Sequence, residues 1–251
     1  VAFITNPTSL HIETAIKCAE IGCKLFIEKP IDKDLKGLDE LIDIVKKKNL
    51  VSYIAYCLRF HPIIEKLKEY INERKVLHLR VVCTSFYPLW RPGGDYLKIY
   101  SANLKLGGGV VFDLSHEIDY VTYLLGSVNK LSGNFSKRGK VTVDAEDFSD
   151  ILLLTDLAPV NIHINFFSHL RQRYVQIDFD GMTVIGDIVN AEVKEYKDET
   201  LQKTLKLNYD KGQEYKTQIK YFFDNINNPK MMNNLEEASD LFRKIAAFKN
   251  G

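Results

Sequence analysis

The feature that most constrains the fold is a short apolar run that ends abruptly in charged residues. Positions 25–27 read Leu-Phe-Ile, and Glu28, Lys29 and Pro30 follow directly. A continuous apolar run of this length is typical of a strand buried on both faces of a parallel sheet. In open α/β sheets, ligands bind at the carboxyl ends of such strands. We therefore expect a ligand site beside Glu28 and Lys29.

The residues around this run predict two further strands and two helices. The predicted strands are 1–5, 24–27 and 50–55, and the predicted helices are 11–21 and 34–48. In the first helix, Ile12, Ala15, Ile16 and Ala19 recur at the spacing of one helical face. Strands that alternate with helices indicate a parallel sheet. Residues 1–58 are therefore predicted to form an α/β domain.

The pattern changes after residue 58 and predicts a second domain at 59–251. We expect a helix at 62–73, a long strand at 76–86 and a helix at 113–125. Strands follow at 150–155, 160–167, 174–179, 183–188, 192–196 and 204–207, and helices at 213–225 and 235–248. Short connections and alternation within the strands favour a large, mostly antiparallel, open-faced sheet of an α+β domain. The last helix is expected to pack back on the first domain.

Composition excludes several classes of protein. The 251 residues are 45% hydrophobic, which is enough for a sizeable core, and 34 basic against 33 acidic residues give a net charge of +1. That balance provides no bulk attraction to nucleic acid or to an anionic membrane. The four cysteines form no CxxC pair, which favours reduced thiols in a cytoplasmic protein. Because Val1 falls inside a predicted strand, we expect the chain to be part of something longer.

Three residues are candidates for acid–base chemistry. Lys29 follows a strand end and precedes Pro30, so its backbone is restrained, although most lysines are simply solvated. Asp113 and His116 are three apart on a predicted helix, where a carboxylate can orient an imidazole and raise its basicity. A capping aspartate and a core histidine remain the alternative for that pair. Gly107, Gly108 and Gly109 precede them and are expected to let the backbone approach a ligand.

Two further stretches are candidates for binding. Tyr56 is predicted at the same sheet edge as Lys29, with an interdomain hinge as the alternative. The aromatic loop 87–102 offers ring faces and polar forks that suit a carbohydrate or a carboxylate, and a packed surface loop is the alternative. The substrate candidates are Arg59, Trp90, Arg91, Asp95 and Tyr96. No histidine has the spacing of a metal ligand, so no metal is expected.

Taken together and in order, these stretches resemble the Gfo/Idh/MocA family, the glucose-fructose oxidoreductase and inositol dehydrogenase type. The family signature Glu-Lys-Pro is present at 28–30, and Tyr-x-x-Arg-x-x-Pro is present at 56–62. Residues 107–119 are similar to its Gly-Gly-Gly-x-x-x-Asp-x-Gly-x-His-x-x-Asp motif, but they are one residue shorter and lack the last glycine. The turn Thr5-Asn6-Pro7 and the following His11 also have family counterparts, with the order of the turn altered.

The resemblance implies a partial Rossmann domain, a substrate domain and hydride transfer with NAD or NADP. It implies Lys29, His116 and Asp113 as catalytic residues, with Lys29 or His116 as the general base. It implies cofactor contacts from Thr5, Asn6, Pro7, His11, Glu28, Lys29 and Tyr56. The substrate it implies is a sugar or sugar derivative. Residues 90–96 resemble the loop of members encoded with surface-sugar biosynthesis, which favours a nucleotide-linked or acidic amino sugar.

The resemblance also implies a homodimer or homotetramer formed through the exposed face of the sheet between residues 148 and 207. Two other classes of function remain open. One is a catalytically inactive fragment or paralogue that serves only as an assembly module, and the other is a lyase that needs no nicotinamide. The first is favoured by one departure from the family, the absence of a Gly-x-Gly-x-x-Gly fingerprint after the first strand.

Without that fingerprint, we expect these 251 residues alone to bind neither NAD nor NADP with useful affinity. The pyrophosphate of the cofactor normally meets backbone N–H groups at a helix N-terminus. We expect that the unit that would supply them, about 60 residues at about 30 per βαβ step, is not part of this sequence. Isothermal titration of the chain with each nucleotide is the test. A micromolar dissociation constant for either would contradict the expectation.

Overall fold

The computed structural model describes residues 1–90 and 95–250, and it begins with a three-stranded parallel sheet. Strands β1 (Ala2–Ile4), β2 (Leu25–Ile27) and β3 (Ser52–Ile54) lie in that order, joined by helices α1 (His11–Glu20) and α2 (Leu38–Lys47). The central strand β2 pairs with both neighbours and is buried at all three positions. The apolar run at 25–27 is therefore the middle of the sheet.

The second sheet has eight strands in the order β11-β10-β9-β8-β4-β7-β6-β5. Its strands are β4 (Val76–Phe86), β5 (Val128–Ser136), β6 (Phe148–Thr155), β7 (Pro159–Asn165), β8 (Phe167–Phe179), β9 (Met182–Asp187), β10 (Glu192–Lys197) and β11 (Thr200–Lys206). The helices are α3 (Pro62–Glu73), α4 (Val110–Asp113), α5 (His116–Leu125), α6 (Gln213–Asp224) and α7 (Leu235–Asn250). Within the large sheet, as described over residues 1–90 and 95–250, β4 and β7 are the only neighbours that pair in parallel. The predicted fold class is confirmed.

Four details of the predicted elements are wrong, and one is the start of strand β8, which lies at Phe167 instead of residue 174. Helix α2 starts at Leu38 because Gly37 before it has a φ of 77°, a left-handed conformation that a helix cannot continue through. The single helix predicted at 113–125 is two helices, separated by Leu114 and Ser115. Strand β5 was not predicted, since its polar sequence has weak strand preference and is held by pairing with β6.

The large sheet has one covered and one open face. Ile162 of β7 and Val175 of β8 point to the covered face and are buried, while α3 packs against β9 and α4 against β6 and β7. On the open face, Leu152 and Leu154 of β6 are each half exposed. The predicted contact between subunits would form through this open face, and it stays a prediction.

The two C-terminal helices return to the small sheet. Phe222 of α6 packs edge-on against Phe26, with ring centroids 5.4 Å apart, and lies 6.1 Å from the ring of Tyr53. Just before α7, the Asn233 carbonyl accepts a hydrogen bond from the Ile54 amide, at 2.9 Å. Residues that are far apart in sequence therefore complete the core under β1, β2 and β3.

All four cysteines are free thiols. Burial raises the pKa of the Cys57 thiol to about 12, so this group stays protonated and unreactive at neutral pH. Across the described ranges 1–90 and 95–250, no helix combines the length and the apolar character that a membrane span requires.

The aromatic cluster beneath the small sheet generates a stability prediction. Phe222→Ala should lower the free energy of unfolding by about 3–5 kcal/mol, because the ring is fully buried and leaves a cavity. Phe223→Ala is the matched control, since its side chain is 48% exposed, and we expect a loss of only ~0.5 kcal/mol. Urea unfolding of both variants measures the difference. Equal losses would show that α6 does not anchor the sheet.

Candidate active site

The centre of the candidate site is a contact between the two sheets' domains. Lys29 follows the carboxyl end of β2, and its Nζ donates a hydrogen bond to the main-chain carbonyl of Asp113 at 2.5 Å. The same Nζ lies 3.5 Å from Asp113 Oδ1, and only 13% of the Lys29 side chain is exposed. The structure thus brings together two of the three predicted catalytic residues.

Asp113 ends helix α4 and has one further partner that sequence reasoning missed. The hydroxyl of Tyr100 donates to Asp113 Oδ1 at 3.2 Å. In the part of the chain that the structure describes, the buried Oδ2 of Asp113 has no hydrogen-bond partner. Tyr100 lies in the aromatic loop 87–102, but nothing in the spacing singles out this ring.

Gly108 and Gly109 are required for close packing within the protein, and the expected approach of a ligand to the triple glycine stays a prediction. A Cβ on Gly109 would lie 2.2 Å from a carboxylate oxygen of Glu146, and one on Gly108 would lie 2.4 Å from the Tyr100 carbonyl oxygen. The Val110 amide then donates to the Glu146 carbonyl at 3.0 Å, where α4 begins. Gly109 therefore lets Glu146 reach the start of the helix that carries Asp113, and Gly108 lets the backbone of residues 100 and 101 pass close by.

Glu146 is in turn paired with the C-terminal helix. Its Oε1 lies 2.8 Å from Nζ of Lys249 in α7, and the two side chains are 6% and 7% exposed. The Lys249 ammonium also lies 4.1 Å from the ring centroid of Phe112, a cation–π contact with α4. A buried ion pair thus supports α4 at its glycine entry, where Lys249 Nζ also donates to the Gly108 carbonyl at 3.3 Å.

Lys29 is held as an ammonium ion. Burial opposes its charge, but the Asp113 carboxylate, followed by Tyr100 and Glu28, outweighs burial and raises the pKa of Lys29 above 10.5. An ammonium in this position can donate hydrogen bonds and stabilise negative charge on an oxygen. It is not placed to accept a proton at neutral pH.

His116 has the opposite tendency. Burial, then the positive charges of Lys29 and Arg173, lower the pKa of His116 well below 6.5. The prediction that Asp113 raises the basicity of this imidazole is wrong, because Asp113 ends α4 and His116 begins α5. At neutral pH the ring is uncharged and can accept a proton.

Tyr56 lies against His116 and is buried, with the two ring centroids 5.5 Å apart in an edge-on arrangement. The Tyr56 hydroxyl donates to Ser115 Oγ at 3.3 Å, which fixes the residue that precedes α5. Within residues 1–90 and 95–250, the buried Nδ1 of His116 has no hydrogen-bond partner. Packing by Tyr56, not a carboxylate, holds the imidazole.

The predicted cofactor residues lie at the carboxyl ends of β1 and β2. His11 is buried, with Nε2 2.9 Å from the Asn6 carbonyl oxygen and Nδ1 2.9 Å from the Pro30 carbonyl oxygen, so it joins the two strand ends. Thr5 and Pro7 are exposed beside it. Asn6 Oδ1 is buried without a partner among the described residues, and Glu28 is half-buried, with its pKa raised by burial.

Arg59 forms a buried ion pair instead of an open binding group. Its Nε and Nη2 donate to the two carboxylate oxygens of Asp119 at 2.9 and 2.7 Å, a bidentate arrangement. Its Nη1 donates to Glu237 of α7 at 2.7 Å. The carboxylate of Asp119 is therefore occupied by Arg59.

The substrate candidates predicted in the aromatic loop have different surroundings in the structure. Trp90 is 41% exposed and donates from Nε1 to Ser85 Oγ at 2.8 Å. Asp95 is exposed and accepts the Leu97 amide at 3.2 Å as a local cap, and Tyr96 packs edge-on against Tyr87. Arg91 lies outside the described residues.

Two cavities adjoin Trp90 of the aromatic loop. A small one of about 80 Å³ is lined by Trp90, Tyr100 and Asp113, among others. A larger one of about 700 Å³ lies against β4 and β8 and shares Trp90 with it. In the described part of the chain, no three His, Cys, Asp or Glu side chains are grouped to hold a metal. The larger volume falls in the range of small-molecule sites.

The Arg59 ion pair generates a prediction. Asp119→Asn should lower the free energy of unfolding by about 3–5 kcal/mol, because it leaves a buried guanidinium without its bidentate partner. Asp224→Asn is the matched control, since Asp224 pairs with Lys220 at the surface and should contribute about 0.5 kcal/mol or less. Denaturant unfolding checks both. A small loss for Asp119→Asn would mean that Arg59 is solvated and free to bind.

Comparison with known proteins supports one family. Residues 1–56 match the model of the oxidoreductase family with an NAD-binding Rossmann fold, and residues 64–187 match the GFO/IDH/MocA C-terminal domain. Myo-inositol 2-dehydrogenase of Thermotoga maritima is 26% identical over 57% of this chain and 40% of its own length. The 2,7-anhydro-N-acetylneuraminate hydratase of Mediterraneibacter gnavus is 27% identical over 57% of this chain and 39% of its own length.

Solved structures agree in fold. Levoglucosan dehydrogenase in complex with NADH and levoglucosan superimposes with a TM-score of 0.85 at 19% identity, over 99% of this chain and 76% of that one. An NAD binding oxidoreductase from Klebsiella pneumoniae gives 0.84 at 15% identity, over 99% and 76%. The chain spans about two fifths of the length of the curated relatives. With both domain models matched in order, the chain belongs to the Gfo/Idh/MocA family of oxidoreductases.

Proposed function

We propose that the protein containing this chain is an NAD(P)-dependent oxidoreductase that transfers hydride between the nicotinamide and a hydroxyl-bearing carbon of a sugar or sugar derivative. One observation supports it most: the ammonium of Lys29 and the neutral imidazole of His116 lie together at the carboxyl edge of the parallel sheet. Alcohol oxidation needs both a proton acceptor and a group that stabilises the developing negative oxygen.

The opposite pKa directions support a division of the two roles. In oxidation, His116 accepts the hydroxyl proton, because its neutral form dominates at neutral pH. Lys29 donates a hydrogen bond to the same oxygen as the carbonyl forms, and Asp113 keeps that lysine charged and in place. The bound nicotinamide supplies the hydride acceptor in oxidation and the hydride donor in reduction. Reduction reverses the proton transfer through His116.

The residues present fit the nicotinamide half of the cofactor. Thr5, Asn6, Pro7 and Glu28 follow β1 and β2 at the ligand-binding edge, and the partnerless Asn6 Oδ1 is available to a carboxamide donor. We propose that His11 and Tyr56 act by holding this edge and His116, since both are buried. We also propose that Arg59 is structural and that Trp90 borders the substrate.

The names of the relatives favour a sugar-like substrate, since they include an inositol dehydrogenase and a levoglucosan dehydrogenase. We further propose a cytoplasmic homodimer or homotetramer that acts in surface-sugar biosynthesis. Four free thiols support the compartment, the half-exposed Leu152 and Leu154 support the assembly, and the sequence of the aromatic loop supports the pathway.

Substitution of Lys29 in the full-length protein tests the proposal. Lys29→Met should lower turnover by about 10²–10⁴-fold, the usual effect of removing a positioned proton-transfer or charge-stabilising group, while nicotinamide binding persists. Lys36→Met, the same change at an exposed lysine, is the control and should retain activity. The measurement is nicotinamide-dependent turnover of a sugar panel. Nearly unchanged turnover of Lys29→Met would refute the assignment.

The role of His116 predicts the pH profile. Because the pKa of the imidazole is lowered, its proton-accepting form persists as pH falls below 6.5 and is lost only further down. The acid limb of kcat/KM for oxidation should therefore lie well below 6.5. Because the pKa of Lys29 is raised, no alkaline limb from it should appear below 10.5.

His116→Gln is the variant to compare across the same pH range. It should remove the acid limb and lower the plateau by about 10²–10⁴-fold. An acid limb centred above 6.5, or one that survives in His116→Gln, would assign proton acceptance to another group.

A further inference from the structure

The cavity of about 700 Å³ is lined by positively charged side chains that have no role in the proposed hydride transfer. It lies where the ends of β4 and β8 meet the aromatic loop. Three of its lining residues are cations, namely Arg171, Arg173 and Lys211, and its lining includes no aspartate or glutamate among the described residues. The whole chain is nearly balanced, at +1, so the accumulation of one sign is local to this cavity.

Two of the three cations have no partner. Within residues 1–90 and 95–250, neither the Arg171 guanidinium nor the Lys211 ammonium forms a hydrogen bond or an ion pair, and both side chains are exposed. Exposed arginines and lysines elsewhere in the chain often lie beside a carboxylate, as Lys220 does with Asp224 at 2.6 Å. Like charges around one cavity repel each other unless an anion lies between them.

The third cation, Arg173, forms an ion pair but keeps one nitrogen without a hydrogen-bond partner among the described residues. Arg173 Nε donates to Glu117 Oε1 at 2.6 Å, which fixes the guanidinium plane. Its Nη2 is buried and has no hydrogen-bond partner in the described part of the chain. An arginine held by one carboxylate can still present its remaining N–H groups to a second oxyanion. Its orientation is set by Glu117 before any ligand arrives.

The cavity adjoins the reacting centre. Leu114 lines it and is the residue directly after Asp113, and Trp90 lines both this cavity and the smaller one beside Asp113 and Tyr100. Arg173 is close enough to His116 for its charge to contribute to the lowered pKa of the imidazole. One small molecule can therefore place a hydroxyl at Lys29 and another substituent among the cations.

We propose that this cavity binds an oxyanion, a carboxylate or a phosphate, carried by the sugar substrate, with Arg171, Arg173 and Lys211 as its partners. This inference rests on the proposed function and narrows it to acidic sugars. The hydroxyl groups of a neutral sugar can accept hydrogen bonds from Arg173, but they carry no charge to offset those of Arg171 and Lys211, which have no carboxylate partner among the described residues, whereas an oxyanion both accepts these hydrogen bonds and offsets the charge.

The experiment measures binding to the 251-residue chain without a nicotinamide. D-Glucuronate, D-glucose 6-phosphate and D-glucose are titrated by calorimetry and by fluorescence of Trp90, the single tryptophan. Both anionic sugars should bind at least tenfold more tightly than glucose, and their affinity should fall as salt rises. The tighter of the two identifies a carboxylate or a phosphate as the natural group.

Variants locate the site. Arg171→Gln and Lys211→Gln should each weaken binding of the anionic sugars about tenfold and leave binding of glucose unchanged. In the double variant, the two losses of affinity should combine. Arg80→Gln and Lys216→Gln remove the same charges from exposed positions outside the cavity lining and should leave binding unchanged. Circular dichroism checks that each variant is folded. Arg173 is left intact because of its contact with Glu117.

Three results would overturn the inference: glucose binding as tightly as the anions, no binding of either anion at millimolar concentration, or equal loss in the control variants. The test is independent of hydride transfer. Anion binding combined with full turnover by Lys29→Met would refute the proposed function and leave the oxyanion site intact. Nicotinamide-dependent turnover of neutral sugars, with no anion binding, would do the reverse.

Discussion

The contact between Lys29 and Asp113 is the interaction on which the rest of the site depends. It joins the end of β2 to the end of α4, and therefore the parallel sheet to the domain of the large sheet. Buried ion pairs contribute little net stability, because desolvation offsets the attraction, so its importance lies in geometry and charge. It keeps Lys29 positive, and that positive charge helps to keep His116 neutral.

The position of Asp113 is itself set by groups outside the site. Close passage at Gly109 brings Glu146 to the first turn of α4, and Lys249 pairs with Glu146 from α7. Tyr100 reaches the Asp113 carboxylate from the aromatic loop. Three separate segments of the second domain therefore converge on one short helix, which gives a four-residue element a fixed direction that its own hydrogen bonds could not provide.

The features that could be predicted from the sequence are those that depend on local residue patterns. The alternation of strands and helices over 1–58 and the charged end of the run at 25–27 follow from periodicity, and they led to Lys29 directly. Contacts set by tertiary packing could not be predicted. Arg59 has the spacing of a ligand-binding residue, but its partner Glu237 is 178 positions away. The relation of His116 to Asp113 was wrong because the break at Leu114 and Ser115 has no glycine or proline to signal it.

The pairing of Lys249 with Glu146 makes the chemistry of α4 sensitive to a distant part of the chain. Lys249 is in the last turn of α7, while Glu146 lies before β6 and more than a hundred residues away. Loss of that lysine would leave Glu146 as a buried acid without a counter-ion, at the amide groups from which α4 starts.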